Sequence, residues 1–228
     1  MRIAVLGTGA VGRTLAGKLS SLGHDVTIGT RDVDALMAQT EGPMGGRLPP
    51  FSEWSATNAS VKVAPFAEAA AAGELVFNAT SGDVTLRVLE SAGAGNLAGK
   101  VLVDVSNPLD FSQGFPPTLS VCNTDSLAEQ VQAAFPDARV VKTLNITNAA
   151  VMVEPGSVAG GDHTMFVAGN NEAARGEVTS ILTDWFGWSD VIDLGDLTAA
   201  RGMEMILPLW LRLMGVLDGP AFNFKIVR

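Results

Sequence analysis

The 228-residue chain has no tyrosine, two histidines and one cysteine. Without tyrosine a phenol cannot serve as proton donor, which excludes the Tyr-x-x-x-Lys chemistry of short-chain dehydrogenases. The histidines, His24 and His163, stand before the second and seventh strands read below. That is the wrong end of a parallel sheet for a His-Asp acid–base pair, and both are read as surface or turn residues. No Cys/His cluster offers a zinc site, so no metal is expected. Cys122 alone cannot form an internal disulfide and is read as a plain thiol. Lysine and arginine total 15 against 24 aspartates and glutamates, for a formal charge of −9. With no basic cluster to neutralise phosphates, nucleic acid is not an expected partner. Long apolar runs are missing too. The longest, near Met203 to Leu217, is interrupted by Glu204 and Arg212 and falls short of the ~20 residues of a membrane span. The N-terminal run Ile3-Ala4-Val5-Leu6 is too short for a signal peptide. A cytoplasmic protein with no membrane partner is expected.

What is present alternates regularly. Residues 3–6 read as a buried parallel strand and residues 10–22 as a helix stopped by Gly23. A strand at 25–29 and a short helix at 32–39 follow. Residues 41–60, with Gly42-Pro43, Gly45-Gly46 and Pro49-Pro50, read as a loop that Phe51 and Trp54 pin to the body. Next come a strand at 61–63, a helix from Pro65 to Ala72, a strand at 74–79 and a helix at 83–92. A strand at 100–105, a helix capped by Thr124 or Asp125 and running to Phe135, and a strand at 139–144 complete the set. Six strands separated by helices imply an α/β fold with a doubly wound parallel sheet, the Rossmann dinucleotide-binding arrangement. Residues 1–150 are assigned to this core. Residues 151–228 are read as an extension packed on it: a strand at 164–168, a helix at 172–186, a strand at 191–193 and a closing helix at 198–217 that Pro208 kinks. That helix is apolar around much of its circumference, so core packing and a subunit interface are equally compatible with it.

Gly7-Thr8-Gly9-Ala10-Val11-Gly12 directly follows the first strand and opens the first helix, the context that makes G-x-G-x-x-G a dinucleotide signature. Gly7 permits the tight turn, Gly9 lets a pyrophosphate approach the backbone, and Gly12 lets helix and strand pack closely. The helix N-terminus then offers its free N–H groups to the anion. At the end of the second strand, where an NAD site carries Asp or Glu for the ribose hydroxyl, this chain has Thr30-Arg31. A hydroxyl and a guanidinium suit a 2′-phosphate, so the expected cofactor is NADP(H). Asp32, next door, is the feature that argues against it.

The strand ends that surround the nicotinamide supply Thr80-Ser81, Asn107-Pro108 and Asn145, small polar groups with little acid–base capacity. Lys142, inside the sixth strand, is the one basic candidate, and packing, substrate contact and acid roles are all open to it. No catalytic acid is assigned. A hydride donor without a general acid suits acceptors that need little proton help, such as flavin-like rings or iminium carbons. Three readings follow: an NADPH oxidoreductase acting on a flavin-like ring, an imine-type reductase, and an NADP(H)-sensing module without turnover.

The stretch 1–9, Leu22-Gly23-His24, Gly29-Thr30-Arg31, and the C-terminal set Asp193-Leu194-Gly195, Ala200-Arg201, Glu204 and Leu207-Pro208-Leu209 resemble the coenzyme F420-dependent NADP oxidoreductase family. The resemblance implies hydride exchange between NADPH and a deazaflavin (F420) stacked on the nicotinamide. It also implies Thr8, Thr30 and Arg31 at the NADP phosphates, Leu207 at the second ring, and a homodimer. The strand-four loop Thr80-Ser81-Gly82-Asp83 departs from the archaeal pattern. Asp184 to Trp188 and Asn223-Phe224-Lys225 are similar to the NADPH-to-flavin reductase domain of membrane ferric reductases.

Overall fold

In the computed structural model, which describes residues 1–42 and 48–228, the chain runs β1 (Arg2–Leu6), α1 (Ala10–Ser21), β2 (Asp25–Thr30), α2 (Val33–Met37), α3 (Phe51–Thr57), β3 (Lys62–Pro65) and α4 (Phe66–Ala72). It continues through β4 (Leu75–Asn78), α5 (Thr85–Ala92), α6 (Ala94–Leu97), β5 (Val101–Asp104), β6 (Leu109–Asp110), β7 (Thr118–Leu119), α7 (Leu127–Ala134) and β8 (Arg139–Thr143). The last elements are α8 (Ala149–Val153), β9 (Thr164–Ala168), α9 (Glu172–Ser180), β10 (Asp190–Asp193), α10 (Ala200–Met205) and α11 (Leu207–Val216). Eight strands form one sheet in the order β10-β9-β8-β5-β4-β1-β2-β3, with β6 and β7 as a separate hairpin. From β3 to β8 every pairing is parallel.

Both faces of the sheet are covered, and alternation along the strands divides the core in two. Ile3, Val5, Leu75, Phe77, Val101 and Val103 pack with Leu15 and Leu19 of α1. Ala4, Leu6, Val76, Leu102 and Val140 pack on the other face with residues of α4, α5 and α7. On α1, Leu15, Ala16 and Leu19 fall at helical spacing and are fully buried. Each buried leucine contributes roughly 1.5–3 kcal/mol. No helix among the described residues is long and apolar enough to cross a membrane.

Register places one row of residues side by side at the carboxyl ends: Leu6 beside Asn78, Asn78 beside Asp104, and Asp104 beside Lys142. Three polar residues therefore share the face on which α7 packs.

Four expectations are corrected. The segment 41–60 is not all loop, since α3 occupies its second half; residues 43–47 lie outside the described residues. Phe51 there is fully buried and Trp54 packs beside the core. Helix α7 is capped by Ser126, whose hydroxyl accepts from the Glu129 N–H at 3.1 Å, and not by Thr124 or Asp125. The same hydroxyl donates to the Glu129 carboxylate at 2.7 Å, while the Ser126 backbone N–H goes to Asp125 Oδ1 at 2.8 Å. The closing helix is two helices, α10 and α11, joined at Ile206. Pro208 sits in the first turn of α11, where a missing N–H is tolerated. Finally, β9 runs antiparallel to β8. Its first residue therefore lies at the carboxyl side of the sheet, and His163 with it. His163 is buried there, edge-on to Trp188, with Nε2 bonded to the Pro155 carbonyl and Nδ1 to the Asn223 amide, both at 2.9 Å.

Candidate functional site

The glycine loop has the geometry its sequence predicts. Gly7 takes φ +121°, a conformation L side chains rarely adopt, and a Cβ there would stand 2.5 Å from the Ala79 carbonyl oxygen. A Cβ on Gly12 would stand 1.9 Å from the Gly7 carbonyl oxygen, so α1 approaches β1 only because residue 12 has no side chain. Gly9 is different, since nothing lies within 4 Å of where its Cβ would be. The open space lies over the N-terminus of α1, which no side chain caps. The first helical amide bond runs from Arg13 to the Gly9 carbonyl, which leaves the earlier amides to an anion. The loop fits a pyrophosphate.

Arg13, which no sequence pattern singles out, locks this loop. Its Nε donates to the Thr8 carbonyl at 2.8 Å, its Nη1 to the Pro49 carbonyl at 2.6 Å, and its guanidinium lies 5.1 Å from the Phe51 ring centroid. The buried Phe51 thus supports the phosphate loop through an arginine. Only the spacing Arg13…Phe51 could have hinted at it, and that spacing has no period.

At the end of β2, Thr30 is buried and Arg31 exposed. The Asp32 carboxylate is engaged as the N-cap of α2, accepting from the Ala35 N–H at 2.9 Å. A cleft of about 430 Å³ lies beside Arg31, with Phe66, Val84 and Arg87 among its walls. Among the described residues neither Arg31 nor Arg87 makes an ion pair. Arg87 comes from α5, whose proximity to β2 no local pattern reveals.

At the carboxyl ends of β4 and β5 a cavity of about 170 Å³ opens beside Val11, lined by Thr80, Ser81, Ser106, Asn107 and Leu109. Its walls carry no ionisable side chain among the described residues. A second cavity of about 300 Å³ shares Ser81, Leu109 and Phe111 with it and reaches the β6–β7 hairpin, with Asp83 and Asp110 at its edge. Pro108 is buried beneath, its carbonyl accepting from the Ser120 N–H at 2.8 Å. Thr80 donates to the Asn78 side-chain oxygen at 2.7 Å. Asn145 is 1% exposed; its amide donates to Asn107 Oδ1 at 2.9 Å and to the Met203 carbonyl at 2.8 Å, while Asn107 donates back to the Asn145 carbonyl at 2.9 Å. Asn145 thus sits behind Asn107. Leu207 is buried at the start of α11 and lines neither cavity.

Lys142 belongs to a buried ionic cluster. Its ammonium meets Asp104 Oδ2 and Glu204 Oε1, each at 2.8 Å, and the Ser106 carbonyl at 2.5 Å; the three side chains are at most 1% exposed. Burial pulls the Lys142 pKa down, but the two carboxylates outweigh it and hold the group above its ordinary value. All three N–H protons are engaged, so Lys142 has none directed at the cavity. Glu204 also accepts from the Leu127 and Ala128 N–H groups at 2.8 and 3.1 Å, which ties α10 to the N-terminus of α7. Asp104 accepts from Asn78 and from the Ser106 hydroxyl, both at 2.7 Å.

The family model described as NADP oxidoreductase, coenzyme F420-dependent, matches residues 2–108. A crystal structure of a candidate F420-dependent NADP reductase from Arthrobacter sp. FB24 is 58% identical, with a TM-score of 0.94 over 100% of both chains. The F420-dependent NADP reductase of Methanothermobacter marburgensis is 29% identical over 218 residues, covering 93% of this chain and 92% of that one. Metalloreductase STEAP3 of Rattus norvegicus is 27% identical over 214 residues, 92% of this chain; the chain spans only 38% of that protein's length.

Proposed function

The chain belongs to the F420-dependent NADP oxidoreductases and is an NADP-dependent oxidoreductase, and from that premise we propose that it passes hydride between NADP(H) and a deazaflavin (F420) or flavin ring laid against the nicotinamide. The observation that carries the reading is the groove itself. Along the carboxyl edge of the sheet, one end has two guanidiniums with no ion pair among the described residues, the middle an uncapped helix N-terminus under Gly9, and the far end a cavity with no ionisable side chain among the described residues.

The residues divide the task by position. The amides at the start of α1 hold the pyrophosphate, with Gly7 and Gly12 setting their approach and Arg13 fixing the Thr8 carbonyl. Thr30, Arg31 and Arg87 meet the 2′-phosphate end, where Asp32 is kept busy by its helix cap. Thr80, Ser81 and Asn107 orient the carboxamide of the nicotinamide, and Asn145 braces Asn107. Bound NADPH supplies the hydride. The chain supplies alignment of two flat rings and, under the nicotinamide, a floor with no ionisable side chain among the described residues. The 300 Å³ cavity beside Phe111 gives the acceptor a face to lie on.

Mixing the protein with NADPH and, separately, F420, FMN, FAD and a cyclic imine tests this by NADPH absorbance. Acceptor-dependent oxidation with a ring cofactor supports it. Turnover of the imine with none of the rings would replace it with the imine-reductase reading.

A further inference from the structure

We infer that the Asp104–Lys142–Glu204 cluster holds one uncompensated negative charge behind the nicotinamide end of the groove, and that this charge favours the oxidised, cationic nicotinamide over the reduced, neutral one. The inference rests on the NADP(H) reading above.

The charge count comes from the direction of each hydrogen bond. Asp104 receives hydrogens from the Asn78 amide, the Ser106 hydroxyl and the Lys142 ammonium. Glu204 receives them from the Lys142 ammonium and from two backbone N–H groups of α7. Glu204 faces fixed donors only, and three fixed donors also converge on Asp104: the Asn78 amide, the Ser106 backbone N–H at 3.3 Å and the Lys142 ammonium. Both groups are therefore carboxylates. One ammonium faces two carboxylates, and the balance is −1. The α7 amides soften the Glu204 charge without cancelling it, since a helix end carries only about half a unit.

Position gives that charge its effect. The three side chains are at most 1% exposed, so water and salt screen them poorly. Ser106 connects them to the groove. Its carbonyl accepts from Lys142, its hydroxyl donates to Asp104, and the same residue lines the 170 Å³ cavity. The cluster thus lies one residue behind the cavity wall. A nicotinamide ring becomes positive when it gives up hydride, so an anion there stabilises the product of hydride donation more than its precursor. The cluster also ties β5, β8, α7 and α10 together, but such a structural role would act on both cofactor forms alike.

The experiment measures Kd for NADP⁺ and for NADPH with wild type, Glu204→Gln, Asp104→Asn and the pair Glu204→Gln/Lys142→Met. Each single variant neutralises the cluster. Its preference for NADP⁺ over NADPH should fall about fivefold or more relative to wild type. The double variant keeps Asp104 as the one charge and should return the ratio towards wild type, which a role in shape alone would not do. A Kd ratio constant across the folded variants overturns the inference while leaving NADP(H) binding intact. If one single variant does not fold, the other carries the same charge change. Failure of the wild-type protein to bind either form overturns the NADP(H) reading and the inference with it.

Discussion

Arg31 and Arg87 line one cleft from two elements, and Asp32, the carboxylate beside them, is tied to a helix cap. Arg31→Ala should weaken NADPH by tenfold or more and NADH little, since one charge-assisted contact to phosphate is worth about 1.5–3 kcal/mol. Equal losses for both cofactors, by fluorescence titration, would remove the 2′-phosphate role. Lys142→Met leaves two buried carboxylates facing each other. It should destabilise the fold by about 3–5 kcal/mol, read as a shift of the urea midpoint. The geometry of the glycine loop was legible because contiguous residues carry it. Arg13, Arg87 and the partners of Lys142 were not, because each acts across a fold contact with no sequence period. Glu204 was visible as a break in an apolar run and as part of a resemblance, without its role.

Helix α7 has two caps, one from its own sequence and one from α10. Ser126 accepts from the Glu129 N–H, and Glu204 takes the two N–H groups before it. Ser126→Ala should therefore cost about 1 kcal/mol, within the usual range for a lost N-cap. Thermal unfolding would show whether the second cap reduces even that. Most elements were readable from apolar runs and their glycine or proline stops. Residues 41–60 misled because glycine and proline dominate their first half, while α3 begins just after Pro49-Pro50. The direction of β9 was not readable, since a five-residue apolar strand has the same pattern run either way. The break at Ile206 was signalled only by the proline two residues later.

For the whole molecule, ionisation sets both limits of stability. Glu129 is held below the usual carboxylate range first by its hydrogen bond from Arg201, Asp190 by the Thr164 hydroxyl, and Asp196 by Thr198. Folded values below the unfolded ones give stability that is present above the ordinary range, about pH 4, and is lost as pH falls through the lowered values. Lys142, raised despite its burial, contributes fully below its ordinary value of about 10.4 and loses that contribution as pH rises through the higher folded one. Melting temperature against pH should show a plateau between these two limbs. We also propose that the chain pairs with a second copy through α11 and its C-cap, where Leu209, Val216 and Leu217 are exposed. Light scattering at micromolar concentration should give twice the 23.7 kDa chain mass, and a clean monomer would end that proposal.

The bond between Glu204 and Lys142 also bears on how such a chain can be divided or recombined. Residues up to β8 contain every strand of the nucleotide-binding half and the whole glycine loop. A fragment ending there would still strand a buried ammonium beside a single carboxylate and leave two α7 amides bare. The half proposed to hold the cofactor is therefore not a portable module. Transplanted into another protein, it would need its own last helices to travel with it, or a replacement acid at the same depth.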